Sequence, residues 1–224
     1  RRTSDAAPSC GRQDVGMDSA GWDRRYAGSE LVWTREANRF LAAEAEGLAV
    51  GRALDLACGE GRNGVRLAQR GWQVTGVDFS QVGLDKAASL AQQRGVWVQW
   101  LRADLVDYVP APAAFDFVAI LYLHIAGATM RDVLRRGAAA LAPGGTLLVV
   151  GHDPTNIQEG YGGPQDPAIL MTPDEIAEAL SELDLERAER VRRPIPSAGD
   201  DVYAIDALVR AAQRLVGKPD ANRH

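Results

Sequence analysis

Cysteine is scarce here: Cys10 and Cys58 are the two in 224 residues. So few thiols make a disulfide framework unexpected and point to a reducing, cytoplasmic setting. Long apolar runs are missing as well. None approaches the length that spans a bilayer, so no membrane association is expected. Basic residues are not in excess. Lys and Arg number 25 against 30 Asp and Glu, for a formal net charge of −5. General nucleic-acid binding wants a basic face, so no nucleic-acid partner is expected. Zinc-type spacings, internal repeats and a nucleophile elbow are also lacking, and no metal is expected.

At this length the chain is expected to form one domain with a real core. Residues 1–16, RRTSDAAPSCGRQDVG, show no apolar periodicity and lack the apolar centre of a signal peptide. They read as a disordered leader ahead of a start at Met17. The domain is expected over 17–210, with 211–224 as a frayed tail.

What is present centres on 52–80, RALDLACGEGRNGVRLAQRGWQVTGVDFS. A short apolar run holding Asp55 leads into Gly59 and Gly61. A helical pattern follows through Val65, Leu67 and Ala68 and stops at Gly71. A second apolar run ends in Asp78. Strand, loop, helix and strand within about 30 residues make a βαβ unit. Ligands of such sheets sit beyond the carboxyl ends of the strands, where Gly59 and Asp78 both fall.

Two chemistries fit. Gly59, Gly61 and Gly64 satisfy G-x-G-x-x-G, with Asp78 nineteen residues after Gly59; this is the dinucleotide fingerprint, weak by itself. The other is a site for S-adenosylmethionine (SAM). Both need glycine where backbone meets ligand and a carboxylate for ribose hydroxyls. Asp55, four residues before Gly59, favours SAM, whose ammonium group needs a carboxylate there. Glu60 adds a like charge beside any pyrophosphate on the helix N-terminus, unless it points to solvent.

The segment D-L-A-C-G-E-G-R-N resembles motif I of class I SAM-dependent methyltransferases. It looks most like the tellurite-resistance and thiopurine-type small-molecule branch, with Ala57 in place of the first glycine. The resemblance extends over roughly residues 22 to 210. It implies an α/β fold: a Rossmann-like, seven-stranded, mostly parallel sheet with helices on both faces and an antiparallel final strand. The order β-α-β-α-β-β-α-β-α-β-β read along the chain agrees.

The resemblance also implies roles. In that branch a W-D-x-x-Y segment, here Trp22 to Tyr26, and the following helix cover the cofactor. Tyr26 and Trp33 would shield the sulfonium, which an aromatic face attracts, and Trp22 would border the acceptor. The helix is expected over 29–46, within an N-terminal cover of 17–47. Asp55 would meet the methionine ammonium directly or through water, Gly59 and Gly61 would allow close approach of the backbone, and Ala57, Cys58 and Asn63 would also bind the cofactor. Asp78 would accept from the ribose hydroxyls, with Ser80 next to it and Phe79 beside the adenine. Ala103, Asp104 and Leu105 would hold the adenine, and Leu121 and Tyr122 would lie beside the transferable methyl. Cys58 reads as a small residue packed at a tight turn.

Two histidines follow apolar strands at the same sheet edge. His124, after a strand at 115–121, is the sharpest candidate for a base, and His152, after a strand at 146–150, is the second. The loop at 151–171 is long, glycine- and proline-rich and reads as a lid or acceptor loop. It offers His152, Asp153, Asn156 and Tyr161 to a small acceptor, with Tyr122 and His124 opposite. Thr172-Pro173-Asp174-Glu175 is a helix start with a capping box. Arg190, Arg192 and Arg193 read as an exposed polar face rather than an anion site.

The expected reaction is methyl transfer from SAM, giving S-adenosylhomocysteine, to a thiol, a phenol or quinol, or a ring nitrogen. An NAD(P)-dependent oxidoreductase and a non-catalytic SAM-binding module are the rivals. The protein is expected to act as a monomer or homodimer.

Overall fold

The computed structural model describes residues 18–28, 30–32 and 34–215. Trp33, the leader and residues 216–224 of the tail lie outside them.

Two short helices come first, α1 (Ser19–Tyr26) and α2 (Arg39–Glu44). The continuous helix expected over 29–46 is therefore not formed. Asn38 explains the late start of α2: its side chain accepts from the Phe40 and Leu41 amides, the standard way to satisfy orphan donors of a first turn. Upstream, the Val32 amide donates to Glu60 and the Arg62 guanidinium donates to Thr34 Oγ1. These bonds tie the segment to the glycine loop instead of to itself.

The βαβ unit is as expected: β1 (Arg52–Leu56), α3 (Arg62–Gln69) and β2 (Gln73–Asp78). Gly71 ends the helix with φ +95°. Then come α4 (Gln81–Gln93), capped by Ser80, β3 (Gln99–Arg102), β4 (Phe115–Leu121), α5 (Gly127–Ala139) and β5 (Leu141–His152). The loop beyond β5 contains one turn of helix, α6 (Asn156–Glu159), and one 3-10 turn, Pro167–Ile169. Helix α7 (Pro173–Ala179) opens on the expected Thr172–Glu175 capping box. A hairpin of β6 (Asp184–Pro194) and β7 (Tyr203–Ala212) closes the fold. Residues 211 and 212, expected in the tail, pair with β5 as part of β7.

The seven strands form one sheet in the order β3-β2-β1-β4-β5-β7-β6. Only the β5–β7 and β7–β6 pairs are antiparallel. Strand alternation sends Leu54, Leu56, Val118 and Ile120 to one face, against Met130, Val133 and Leu134 of α5 and Ile176 of α7. Ala53, Phe117 and Ala119 face the other way, against Leu41 of α2 and Leu67 of α3. Full burial of each large side chain contributes about 1.5–3 kcal/mol. From β1 the chain runs outward through β2 and β3, then returns to place β4 on the other side of β1. The crevice at that switch point, beyond the carboxyl ends of the strands, is where such sheets bind ligands.

Candidate functional site

A cavity of about 520 Å³ occupies that crevice, a volume in the usual range for small-molecule sites. One half is built by chain segments close in sequence. Ala57, Cys58 and Gly59 leave β1, Asp78 and Phe79 end β2, and Asp104 and Leu105 follow β3. Ala57 takes φ +60° and Gly59 φ +52°, so the backbone turns sharply under the cavity. A Cβ at Gly59 would meet the Tyr26 hydroxyl at 2.9 Å. Tyr26 thus covers the loop, and Gly83 leaves space for its ring. Asp23 of α1 fastens this cover: it bonds Ser80 Oγ and accepts from the Val82 amide at the start of α4.

Asp78 lies on the cavity wall and accepts from the Gly59 amide at 2.8 Å and the Ser80 amide at 2.9 Å. Burial raises its pKa, and the amide bonds oppose that. Asp55 sits deeper and is absent from the wall. Its Oδ2 is buried without a partner, and burial pushes its carboxyl up to about 7, opposed by the Gly64 amide. Glu60 is buried instead of solvated, in an ion pair with Lys86 at 3.1 Å. That cation balances its charge and weakens the electrostatic objection to a pyrophosphate.

The other half gathers residues far apart in sequence. Tyr122 and His124 follow β4, His152 ends β5, Arg193 is on β6, and Tyr161, Gly162 and Gly163 come from the long loop. Behind them stands Asp206 of β7, fully buried. The Tyr122 hydroxyl donates to Asp206 Oδ2 at 2.8 Å, and Arg193 Nε donates to the same oxygen at 2.7 Å. Arg193 Nε also donates to the Tyr122 oxygen at 3.0 Å. His152 Nδ1 lies 3.2 Å from Asp206 Oδ1, a close polar contact that falls short of an aligned hydrogen bond. Burial alone would raise the Asp206 pKa, but His152 and Arg193 outweigh it and hold the carboxyl below its usual range. The His124 ring stacks beside His152 with centroids 5.6 Å apart. Burial and the neighbouring His152 push its pKa down to about 3. His124 is therefore neutral near pH 7, and its Nε2 is buried without a partner.

Most residues singled out in the sequence meet on this wall: Trp22, Tyr26, Ala57, Cys58, Gly59, Asn63, Asp78, Phe79, Asp104, Leu105, Leu121, Tyr122, His124, His152 and Tyr161. Asp55, Gly61, Ser80, Ala103, Asp153 and Asn156 stand behind it, each for a visible reason. A Cβ at Gly61 would strike Ala87 at 2.5 Å and Trp100 at 2.7 Å, so that glycine makes room for packing. Ser80 is the α4 cap, and Ala103 packs on the core. Asp153 accepts from Thr155 and Arg190. Asn156 bridges the Gly162 carbonyl and the Ile205 amide, pinning the loop to β7.

Sequence reasoning missed Asp206 and Arg62 and misread Arg193. Arg193 is 22% exposed and turned to the cavity rather than to solvent. Asp206 in the apolar run DVYAIDALV carried a signal, because an acid inside a buried strand needs a partner.

Residues 53–145 match the family model of a methyltransferase domain. Demethylmenaquinone methyltransferase of Thermus thermophilus is 36% identical over 129 residues, 57% of this chain and 57% of that protein. The chain spans about half the length of the curated relatives it matches. Among solved structures, one described for the conversion of a disulfide bond into a thioacetal group during echinomycin biosynthesis superposes with a TM-score of 0.70 at 21% identity, covering 89% of this chain and 94% of that one. TehB from Haemophilus influenzae gives 0.66 at 14% identity, covering 88% and 67%. At such identities the likeness is one of fold. The matched segment is similar to a methyltransferase domain, and the fold is shared with solved structures described as SAM-dependent methyltransferases.

Proposed function

We propose that this chain moves the methyl group of S-adenosylmethionine to a small-molecule nucleophile, a thiol, a phenol or quinol, or a ring nitrogen. Within the class we place it beside the tellurite-resistance and thiopurine-type enzymes, on the strength of D-L-A-C-G-E-G-R-N and the W-D-x-x-Y cover. The domain runs from 17 to the end of β7 at Ala212, with 17–47 as cover and 151–171 as acceptor loop. No nucleic acid or membrane takes part, and the state is monomer or homodimer. Among the described residues no helix is long and apolar enough to cross a membrane.

The carrying observation is the meeting of Gly59, Asp78 and Asp104 on one cavity wall at the switch point. When bound, SAM supplies an electrophilic methyl on sulfur whose leaving group, a neutral thioether, needs no acid. The residues fit it. Asp78 has given one lone pair from each oxygen to the backbone and keeps the others for ribose hydroxyls. Asp104 would accept from the adenine amine, and Phe79 and Leu105, on the same wall, would offer apolar surface to the ring. Asp55, with its orphan buried oxygen behind the wall, would serve the methionine ammonium through water. Tyr26 shields the site above the glycine loop. At the acceptor end the chain supplies mainly orientation and exclusion of water.

Calorimetric titration with SAM, S-adenosylhomocysteine and NAD tests this reading. Binding of the first two is expected, followed by SAM consumption with at least one member of a panel of thiols, phenols, quinols and N-heterocycles. Heat with NAD and none with SAM would overturn it in favour of an oxidoreductase. Tight SAM binding without any turnover would leave a binding module.

A further inference from the structure

The acceptor end holds a buried carboxylate that methyl binding does not call for. Asp206 has no access to solvent, yet four polar groups of the site depend on it directly or through one neighbour. Its Oδ2 takes bonds from Tyr122 and Arg193, and its Oδ1 faces His152 Nδ1 at 3.2 Å. The His152 ring is held from other directions too. Gly163 packs over it so closely that a Cβ would come within 3.0 Å of three ring atoms, and His124 stacks beside it. Tyr122, at 5.2 Å between centroids, completes the frame. With Nδ1 turned to Asp206, Nε2 is the ring nitrogen left for the cavity. Catalytic hydrogen bonds are often long or poorly aligned before reactants bind and tighten afterwards.

We propose that Asp206 positions His152 as a general base, and that the acceptor atom is accordingly a weakly acidic hydroxyl of phenol type rather than a thiol or a ring nitrogen. The inference rests on the methyltransferase reading above and narrows its acceptor class. A thiol, roughly a few per cent ionised at neutral pH and strongly nucleophilic as the thiolate, or a ring nitrogen with a free lone pair, gains little from a buried carboxylate–imidazole pair. A phenol, with an ordinary pKa of about 10 as for tyrosine, does. The acceptor O–H bond breaks and its proton passes to His152 Nε2. The freed oxygen pair forms the O–CH3 bond, and the pair of the S–CH3 bond stays on sulfur. Asp206 remains ionised and stabilises the imidazolium, which returns its proton to water. The surrounding rings of Tyr122, Tyr161, His124 and His152 suit a flat acceptor. The groups facing His152 are Asp206 from β7, Arg193 from β6, and Tyr122 and His124 after β4, so the carboxylate is the one anion among them.

The test compares a phenol with a nitrophenol already ionised at neutral pH. His152→Gln and Asp206→Asn are expected to slow methylation of the phenol at least tenfold. The nitrophenol rate should fall by a clearly smaller factor than the phenol rate, and SAM affinity by calorimetry should hold. Raising the pH toward the phenol's own pKa should restore the variants' rate, whereas a structural defect would not respond to it. Asp206→Glu serves as the conservative variant and should recover part of the rate. Equal losses on both acceptors, or wild-type turnover confined to thiols or ring nitrogens, overturns the proposal while leaving the methyltransferase reading intact. Failure of the wild-type protein to bind SAM removes both.

Discussion

The two halves of the cavity are made in opposite ways. The donor half comes from one nearly continuous stretch, Ala57 to Asp78 with Asp104 and Leu105, laid out by the turns that end three neighbouring strands. The acceptor half draws on Tyr122, His152, Arg193 and Asp206, delivered by four strands of which β7 runs antiparallel to the rest. The first is a matter of backbone geometry and glycine. The second is a matter of side chains satisfying one another around a buried charge. The methyltransferase match ends at residue 145, so it covers the first half and stops short of His152, Arg193 and Asp206.

If the halves are separate, changes in the donor half should alter stability and SAM affinity but not acceptor preference. The largest effect is expected at Gly61, with φ +79° and Ala87 and Trp100 against its missing Cβ. Gly61→Ala should cost about 2–4 kcal/mol, from the left-handed backbone and overpacking together; urea unfolding measures it. Next is Asp55. Its carboxyl titrates near 3.8 when unfolded and at about 7 when folded. Between those values the native state holds a proton that the unfolded chain has lost, so stability falls as pH rises through that window and levels off above it. Asp55→Asn removes the penalty. Melting curves should show it stabilised by about 1–3 kcal/mol at pH 8 and unchanged below pH 4, while its SAM affinity falls.

Smaller again is Asp78→Ala, expected to weaken SAM at least tenfold, about 1.4 kcal/mol, with acceptor KM unchanged. The smallest change belongs to the other half. Arg193→Met removes one partner of Asp206, and with Arg193 partly exposed the stability loss should be about 1 kcal/mol. Acceptor KM should rise while calorimetry finds SAM affinity intact. A rise in SAM dissociation constant of the same size would join the halves into one unit and break the comparison.

This contrast also explains what the sequence could tell. The βαβ unit, the β4 strand and the α4 and α7 caps are local patterns, and they read through, whereas β5 and β7 run beyond their expected ends. Ser80 and Thr172 each cap the helix their position predicts. The 29–46 helix failed because Glu60 and Arg62, distant in sequence, bind the intervening backbone and side chain. Asp153 and Asn156 have the right chemistry and sheet edge, but their bonds hold the loop in place instead of facing the cavity. Gly61 belongs to a ligand fingerprint, yet the space beside it is filled by tryptophan. Asp206 joins the site through partners 54 and 84 residues away, at His152 and Tyr122, and no spacing rule encodes such a meeting.

Tyr122 leaves β4 in a left-handed conformation, φ +55°, with its amide bonded to the Val150 carbonyl at 2.7 Å. A side chain so placed is held there at a cost of about 1–2 kcal/mol. The rest of the fold bears that cost before any acceptor arrives. An incoming molecule thus meets a rigid phenol already anchored to β7, and loses little affinity to ordering the wall it touches. Selectivity in such a site comes from refusing misfits rather than from moulding around them.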